Sequence, residues 1–453
     1  MSGIIRTMRS FFREESGAIA IILALALPMM IGAAGVAIDI AQAYNVRSRL
    51  ADALDKAALA GGSTLGTEDQ VEQRVLDFFA ANYKDEKLGT PHDISVTVGE
   101  DYTLTVSAWA QVQTTFMAIF GDSYDTLDIY VETKVKRELA GVEAVLVLDV
   151  TGSMAGSKIA SLKTASTSFI NIMFDNITDT EFLKIGIVPY SASVNVGPYG
   201  LGKNPDDSYY GPAFVDKPGS DPYVSPASNI DYGTGTNDWR GCILERSSPQ
   251  DVTDDAPLPN WGMYRYVSCG WQYIYGSGWQ WVCSGPPNRD CPTTSVVPLT
   301  NSQSTLLNAI SGLSTGGYTY TNVGAAWGYH LITPTEPFTE GVPLDDDEWS
   351  RTIIIMTDGD NNTNNTYSAY GSNPGLNDSD LDDKLVDVCT NIKNDNIQIY
   401  TITFGSGVGS STQNLMRECA SEDTKYYHSS SGDDLEDAFE NIASQLSQLH
   451  IVK

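Results

Sequence analysis

The chain has few of the residues on which most enzyme chemistry relies. There are four histidines in 453 residues, His92, His330, His428 and His450, scattered and unpaired. A His-rich zinc site or a histidine-based triad has little support in that distribution. Basic residues are also scarce: 27 against 57 acidic ones, a formal net charge of -30. This balance argues against nucleic acid as a main partner, because phosphate recognition needs a basic face, and it favours a cation or a basic partner. The six cysteines include no C-x-x-C pair, which argues against a zinc ribbon or a thioredoxin-type site. A Gly-x-Ser-x-Gly elbow and a P-loop are both absent, and there is no internal repeat.

What is present begins with a long apolar run. Gly17 to Ile38 forms 22 uncharged positions, GAIAIILALALPMMIGAAGVAI. As a helix it reaches ~33 Å, enough to cross a ~30 Å hydrocarbon core. Arg6, Arg9 and Arg13 precede it, so the positive-inside rule places residues 1–16 in the cytoplasm and everything after Asp39 outside. The alternative is a cleaved signal peptide, with Gly35-Val36-Ala37 as small residues at the cleavage point. The run is longer than an ordinary signal core, and helical periodicity continues beyond it, which favours an anchor. An oxidising compartment also suits an even count of six cysteines, read as disulfides.

Beyond the run, Val46, Leu50, Leu54, Ala57 and Ala58 form one apolar helical face, ended at Gly61-Gly62. Thr67 to Gln70 is a capping box opening a second helix, with Val71, Val75, Phe78 and Phe79 inward. The period then changes to two at Ile94, Val96 and Val98 and again at Tyr102, Leu104, Val106 and Ala108, which predicts a hairpin. A short apolar helix near 115–120 leads to a third strand carrying Leu127, Ile129, Val131 and Val135. A long helix on an antiparallel sheet is similar to the layout of a pilin, so residues 39–140 are read as a small pilin-like α+β domain.

From Val142 the pattern changes again. Ala144 to Leu148 is a continuous apolar run ending in Asp149, as in a strand buried on both faces of a parallel sheet. Apolar runs at 185–188, 353–356 and 397–404 alternate with amphipathic helices, the last opening near Ser431 with Leu435, Phe439, Ile442 and Leu446 inward. This order predicts an α/β fold with a doubly wound, mainly parallel sheet over residues 141–449. It is interrupted at about 195–295 by an insert with four cysteines and five of the eight tryptophans. The insert is read as a disulfide-stapled element on the sheet edge, serving either to pack its own aromatics or as a recognition surface. Cys389 and Cys419 fall on successive helices of one sheet face and are expected to pair, leaving Cys242, Cys269, Cys283 and Cys291 with three possible connectivities.

The chemistry concentrates at the carboxyl ends of the buried strands, where open α/β sheets place their sites. Asp149-Val150-Thr151-Gly152-Ser153 brings one carboxylate and two hydroxyls onto a tight turn. Thr321 adds a hydroxyl before a helix, and Asp358 a second carboxylate after the strand 353–356. An oxygen-only set of this kind suits Mg2+ or Mn2+ rather than zinc. Taken singly, each segment reads equally well as a helix cap or a turn. Other loops fit poorly. Thr151 stands where a haloacid-dehalogenase phosphatase has its second Asp, and Thr363 and Ala369 break an EF-hand loop starting at Asp358.

Asp149, Thr151 and Ser153, then Thr321, then Asp358 resemble the metal-ion-dependent adhesion site (MIDAS) of the von Willebrand factor A family. The resemblance implies an A-like fold in which Asp149, Ser153 and Thr321 are direct or near-direct ligands. Thr151 and Asp358 would act partly through water, with one coordination position left for a partner's acidic residue. The run Ser16-Gly17-Ala18-Ile19-Ala20 before the span, Ala37-Ile38-Asp39 after it and the closing Ala-Leu-Ala-Gly-Gly resemble the TadE/TadG-like segment of Flp (tight adherence) pilus assembly proteins. Ile22 stands where a prepilin cleavage site requires Glu, so the span is expected to be retained. The expectation is a non-enzymatic, single-pass inner-membrane protein that binds a pilus or envelope protein partner through a divalent cation, its bulk periplasmic or extracellular. An envelope adhesin unrelated to pili is the alternative, and a metal-dependent hydrolase a distant one, because no general base stands beside the hydroxyls.

Overall fold

The computed structural model describes residues 15–64, 68–84, 89–99, 103–136, 140–177, 179–216, 229–233, 238–264, 268–284, 288–363, 367–371 and 375–449. The arginines expected to set the orientation of the span, Thr67 of the expected capping box and the turn residues Glu100 to Tyr102 lie outside this set. The chain divides into two compact units, Met1–Glu138 and Leu139–Lys453.

The first unit is built on one helix of 48 residues, α1 (Glu15–Gly62), which continues without a break from the apolar run into the amphipathic segment, with Pro28 inside it. Its upper part buries Val46, Leu50, Ala53, Leu54, Ala57 and Ala58. They pack with Val71, Val75 and Phe79 of α2 (Glu68–Asn82) and with a three-stranded sheet. The sheet is an antiparallel meander of β1 (Thr90–Val98), β2 (Thr103–Gln113) and β3 (Thr126–Lys136). Alternation in β2 sends Leu104, Val106, Ala108, Ala110 and Val112 into the core. In its lower part α1 leaves Ile21, Leu23, Leu25, Leu27, Met29 and Met30 exposed.

The second unit is a six-stranded sheet with helices on both faces. The strands are β4 (Gly141–Asp149), β5 (Leu183–Tyr190), β6 (Val297–Thr300), β7 (Trp349–Thr357), β8 (Gln398–Phe404) and β9 (Tyr426–Ser429), in the order β6-β5-β4-β7-β8-β9. All neighbours are parallel except β6, which pairs antiparallel with β5. Every residue of β4 is buried because the two faces of the sheet are both covered. Ala144, Leu146 and Leu148 face α3 (Ser157–Asn176), α4 (Gln303–Gly312) and α8 (Gly432–Leu449), where Phe169 and Phe439 meet edge to face. Val145 and Val147 face α5 (Thr321–Ile332), α6 (Asp378–Asn394) and α7 (Ser410–Cys419). The doubly wound, mainly parallel α/β arrangement expected of the sequence is the one observed, with α4 and the antiparallel edge strand β6 as additions.

Cys389 of α6 and Cys419 of α7 form a disulfide, with a Cα–Cα distance of 5.2 Å. Cys242 pairs with Cys291, and strand register sets Cys269 opposite Cys283 in the hairpin Ser268–Ile274/Gly278–Ser284. The insert is more than an appendage on the sheet edge. Trp239 and Trp261 are fully buried, and Trp261 packs 5.0 Å from Trp327 of α5, so the insert shares one core with the sheet. The Glu245 carboxylate accepts the indole N–H of both Trp327 (2.7 Å) and Trp261 (3.2 Å). In the hairpin of the insert, Trp271, Tyr273, Tyr275 and Trp279 are exposed.

Candidate metal centre

Asp149 is the last residue of β4 and is completely buried. The chain turns at once through a 3-10 turn, Gly152–Met154, and the Thr151 backbone N–H donates to Asp149 Oδ1 at 2.9 Å. The turn is held from the side by Gly152 N–H donating to Gly317 O and Gly316 N–H donating to Val150 O. The segment before Thr321 is thereby fixed against the Asp149 turn. Thr151 Oγ1 and Ser153 Oγ lie 2.9 Å apart, and Ser153 Oγ donates to Asp358 Oδ1 at 2.6 Å. Asp358 follows the last residue of β7, whose Thr357 Oγ1 donates to Asp149 Oδ2 at 2.9 Å.

Thr321 opens α5 and joins the group through Tyr190. The Tyr190 hydroxyl lies 3.3 Å from Thr321 Oγ1, 3.1 Å from Met356 O and 3.5 Å from Asp149 Oδ2. A Cβ on Gly324 would fall 2.5 Å from the Tyr190 ring, so only glycine at this position lets α5 approach so closely. The Thr321 backbone N–H donates to Asn361 Oδ1 at 2.9 Å, which satisfies one of the free donors at the helix start.

Two carboxylates side by side in a buried site are stabilised by a proton or by a nearby positive charge. Burial first, and the Asp358 charge second, push the Asp149 carboxyl up to about 6 despite its hydrogen bonds from Thr151 and Thr357. The same surroundings raise the Tyr190 phenol well above its ordinary value, so it stays protonated and serves as a donor. One positive charge is already in place: Lys158 Nζ, from the first turn of α3, lies 2.6 Å from Asp358 Oδ2. Among the described residues no cluster of three or more His, Cys, Asp or Glu side chains is placed to hold a metal. The donors are instead two carboxylates and the hydroxyls of Thr151 and Ser153, with that of Thr321 reached through Tyr190; all are hard oxygens, of the kind that suits a small divalent cation completed by water.

Of the residues singled out in the sequence, Asp149, Thr151, Ser153 and Asp358 are linked directly by hydrogen bonds, and Thr321 through Tyr190. Sequence reasoning missed Lys158, Tyr190 and Thr357. A lysine in the first turn of a helix runs against the helix dipole, and that was a signal for Lys158.

The second unit carries a von Willebrand factor A domain. The family model for the von Willebrand factor type A domain matches residues 288–441, which include Thr321 and Asp358. Strands β4 and β5 precede that match and belong to the same sheet, and helix α3, which also precedes it, packs on one face of that sheet. The chain joins to this domain a TadE/G-like N-terminal region: residues 17–64 match the Flp pilus-assembly TadE/G-like family model. No curated protein matches the chain.

Among solved structures, the pilus adhesin SpaC from Lactobacillus rhamnosus GG is 11% identical with a TM-score of 0.38, over 79% of this chain and 34% of SpaC. The chain thus spans about a third of that protein. The vWF domain of the type V pili tip protein Mfa5 from Porphyromonas gingivalis is 12% identical with a TM-score of 0.37, over 70% of this chain and 97% of that domain. Proximal thread matrix protein 1 from the mussel byssus, with a zinc-occupied MIDAS motif, is 12% identical with a TM-score of 0.33, over 69% of this chain and 47% of that protein. These likenesses are too distant to bear on function.

Proposed function

We propose that the chain is a membrane-anchored, non-enzymatic adhesion or assembly protein of an Flp (tight adherence) pilus system. In this reading its A domain holds one Mg2+ or Mn2+ through Asp149, Thr151, Ser153, Thr321 and Asp358, and docks an acidic residue of a partner protein on it. The observation that carries the reading is the direct hydrogen bonding of the Asp149–Ser153 turn to Thr357 and Asp358, with Thr321 joined to it through Tyr190. A cation bound there supplies Lewis-acid attraction for a partner carboxylate. The chain's own residues do the rest. Thr357 and the Thr151 backbone fix the Asp149 carboxylate, Ser153 fixes that of Asp358, and Tyr190 spans from Asp149 to Thr321. The TadE/G-like region supports the pilus assignment, α1, long and apolar enough to cross a membrane, supports a single-pass anchor, and Arg6, Arg9 and Arg13 support a cytoplasmic N-terminus in the inner membrane.

The test is affinity capture from solubilised membranes with the full chain as bait. Partners retained in Mg2+ should be lost in chelator and lost equally with Asp149→Ala. Retention of the same partners under all three conditions would refute metal-dependent docking.

A further inference from the structure

The loop between β2 and β3 lies against α1 at the end of its apolar run. The ring of Phe116 covers Gly35: a Cβ there would sit 2.5 Å from the ring. One turn further along α1, the buried Asp39 carboxylate accepts the backbone N–H groups of Thr115 (3.0 Å), Phe116 (2.8 Å) and Met117 (2.7 Å). These bonds clamp the start of the 3-10 turn Met117–Phe120 to the helix. Gly35 precedes Ile38, the last residue of the apolar run, by three positions, or ~4.5 Å along the axis. The loop is therefore held at the level where the run ends.

Its composition matches that level. From Thr114 to Gly121 the sequence TTFMAIFG has no charged residue, and Asp122 and Asp125 come only afterwards. Ile119 and Phe120 are 78% and 65% exposed at its tip. On α1, Asp39 is the one charged residue between Glu15 and Arg47, and its carboxylate is buried under three N–H donors. Further along α1, Tyr44 is exposed, an aromatic of the kind that gathers at bilayer surfaces.

We infer that residues 114–121 form a second membrane contact, a loop that lays Ile119 and Phe120 into the headgroup–acyl boundary of the outer-facing leaflet beside the span. This rests on the reading that α1 crosses the bilayer. The occupant is lipid because the loop is continuous, through Phe116 on Gly35, with the surface of α1 that the bilayer would cover. Interfacial segments of this type bury ~5–10 Å into that boundary. The loop gives the anchored domain two points of attachment and so sets how it stands on the membrane.

Depth measurement by spin labelling tests this in the full chain, reconstituted in zwitterionic nanodiscs. Nitroxides are placed through Ile119→Cys in the loop, Leu25→Cys in the span and Lys134→Cys on β3, with the labelled parent chain as blank. The inference expects the residue 25 label deep in the acyl chains, the 134 label in water, and the 119 label at the headgroup–acyl boundary, severalfold more accessible to oxygen than the 134 label. A 119 label as water-accessible as 134, with 25 still in lipid, overturns the inference and leaves the span standing. A water-accessible 25 label overturns the span and the inference with it. Dipolar broadening at 119 without lipid exposure would assign the loop to a second copy of the chain instead.

Discussion

Asp149 and Glu245 are both buried carboxylates, held in different ways. Asp149 lies beside Asp358 and Lys158, at a site suited to a cation. Glu245 sits under the insert and accepts two indole N–H groups. Arg246 lies over Trp261 at 4.0 Å, and Asp251 adds a repelling charge nearby. Burial is the main cause that pushes the Glu245 carboxyl up to about 7. In the folded chain it therefore keeps its proton up to about pH 7, and in the unfolded chain only up to the ordinary glutamate value near 4.5. Its contribution to stability is full below about pH 4.5 and is lost as pH rises to about 7, a change of about 3 kcal/mol. His330, packed on Trp261, works in the opposite direction: burial lowers it to about 3, which penalises folding as pH falls below its ordinary value of 6.5. Glu245→Gln isolates the carboxyl from this background. Melting curves between pH 4.5 and 8 should show wild type losing stability relative to the variant as pH rises, and parallel curves would contradict the assignment. At this scale the sequence revealed the part of the site that is local. The Asp-x-Thr-x-Ser turn is contiguous, so its donors could be read directly. Tyr190 enters only through the β4–β5 register, which sets it opposite Asp149, and no local pattern encodes that pairing.

The elements follow the same division between local and non-local information. The buried runs of β4, β7 and β8 and the apolar faces of α3, α6 and α8 were readable because periodicity and burial coincide in them. The edge strand β6 was not: it has four residues and contains Pro298, a residue confined to sheet edges. The share of the insert in the sheet's core was not legible, because composition does not say which tryptophans will pack on Trp327. The disulfide between α6 and α7 was legible from helix adjacency together with an oxidising compartment. It closes a loop of 30 residues and should stabilise the A domain by about 3–4 kcal/mol through the unfolded chain. Replacing Cys389 and Cys419 together by alanine should lower the melting temperature, while Cys242–Cys291 remains intact by non-reducing peptide mapping. An unchanged melting temperature would show that the bridge carries no stability.

The whole molecule joins a TadE/G-like N-terminal region to an A domain whose family match begins only near the end of the insert, at residue 288. Its first strands, and Asp149 with them, were linked to the rest by the site motif in the sequence and by the shared sheet in the structure. The orientation proposed for the span predicts that protease added to spheroplasts digests the chain beyond residue 39, while a tag at residue 1 stays protected. A tag cleaved from outside would reverse the topology. The central claim is that the Asp149 cluster holds a divalent cation, and calorimetric titration of the full chain in detergent with Mg2+ or Mn2+ tests it most directly. Wild type should bind one cation per chain. Asp149→Ala should bind none while melting as a folded protein, because the sheet is held by its two apolar faces. Equal binding by wild type and Asp149→Ala would contradict the account.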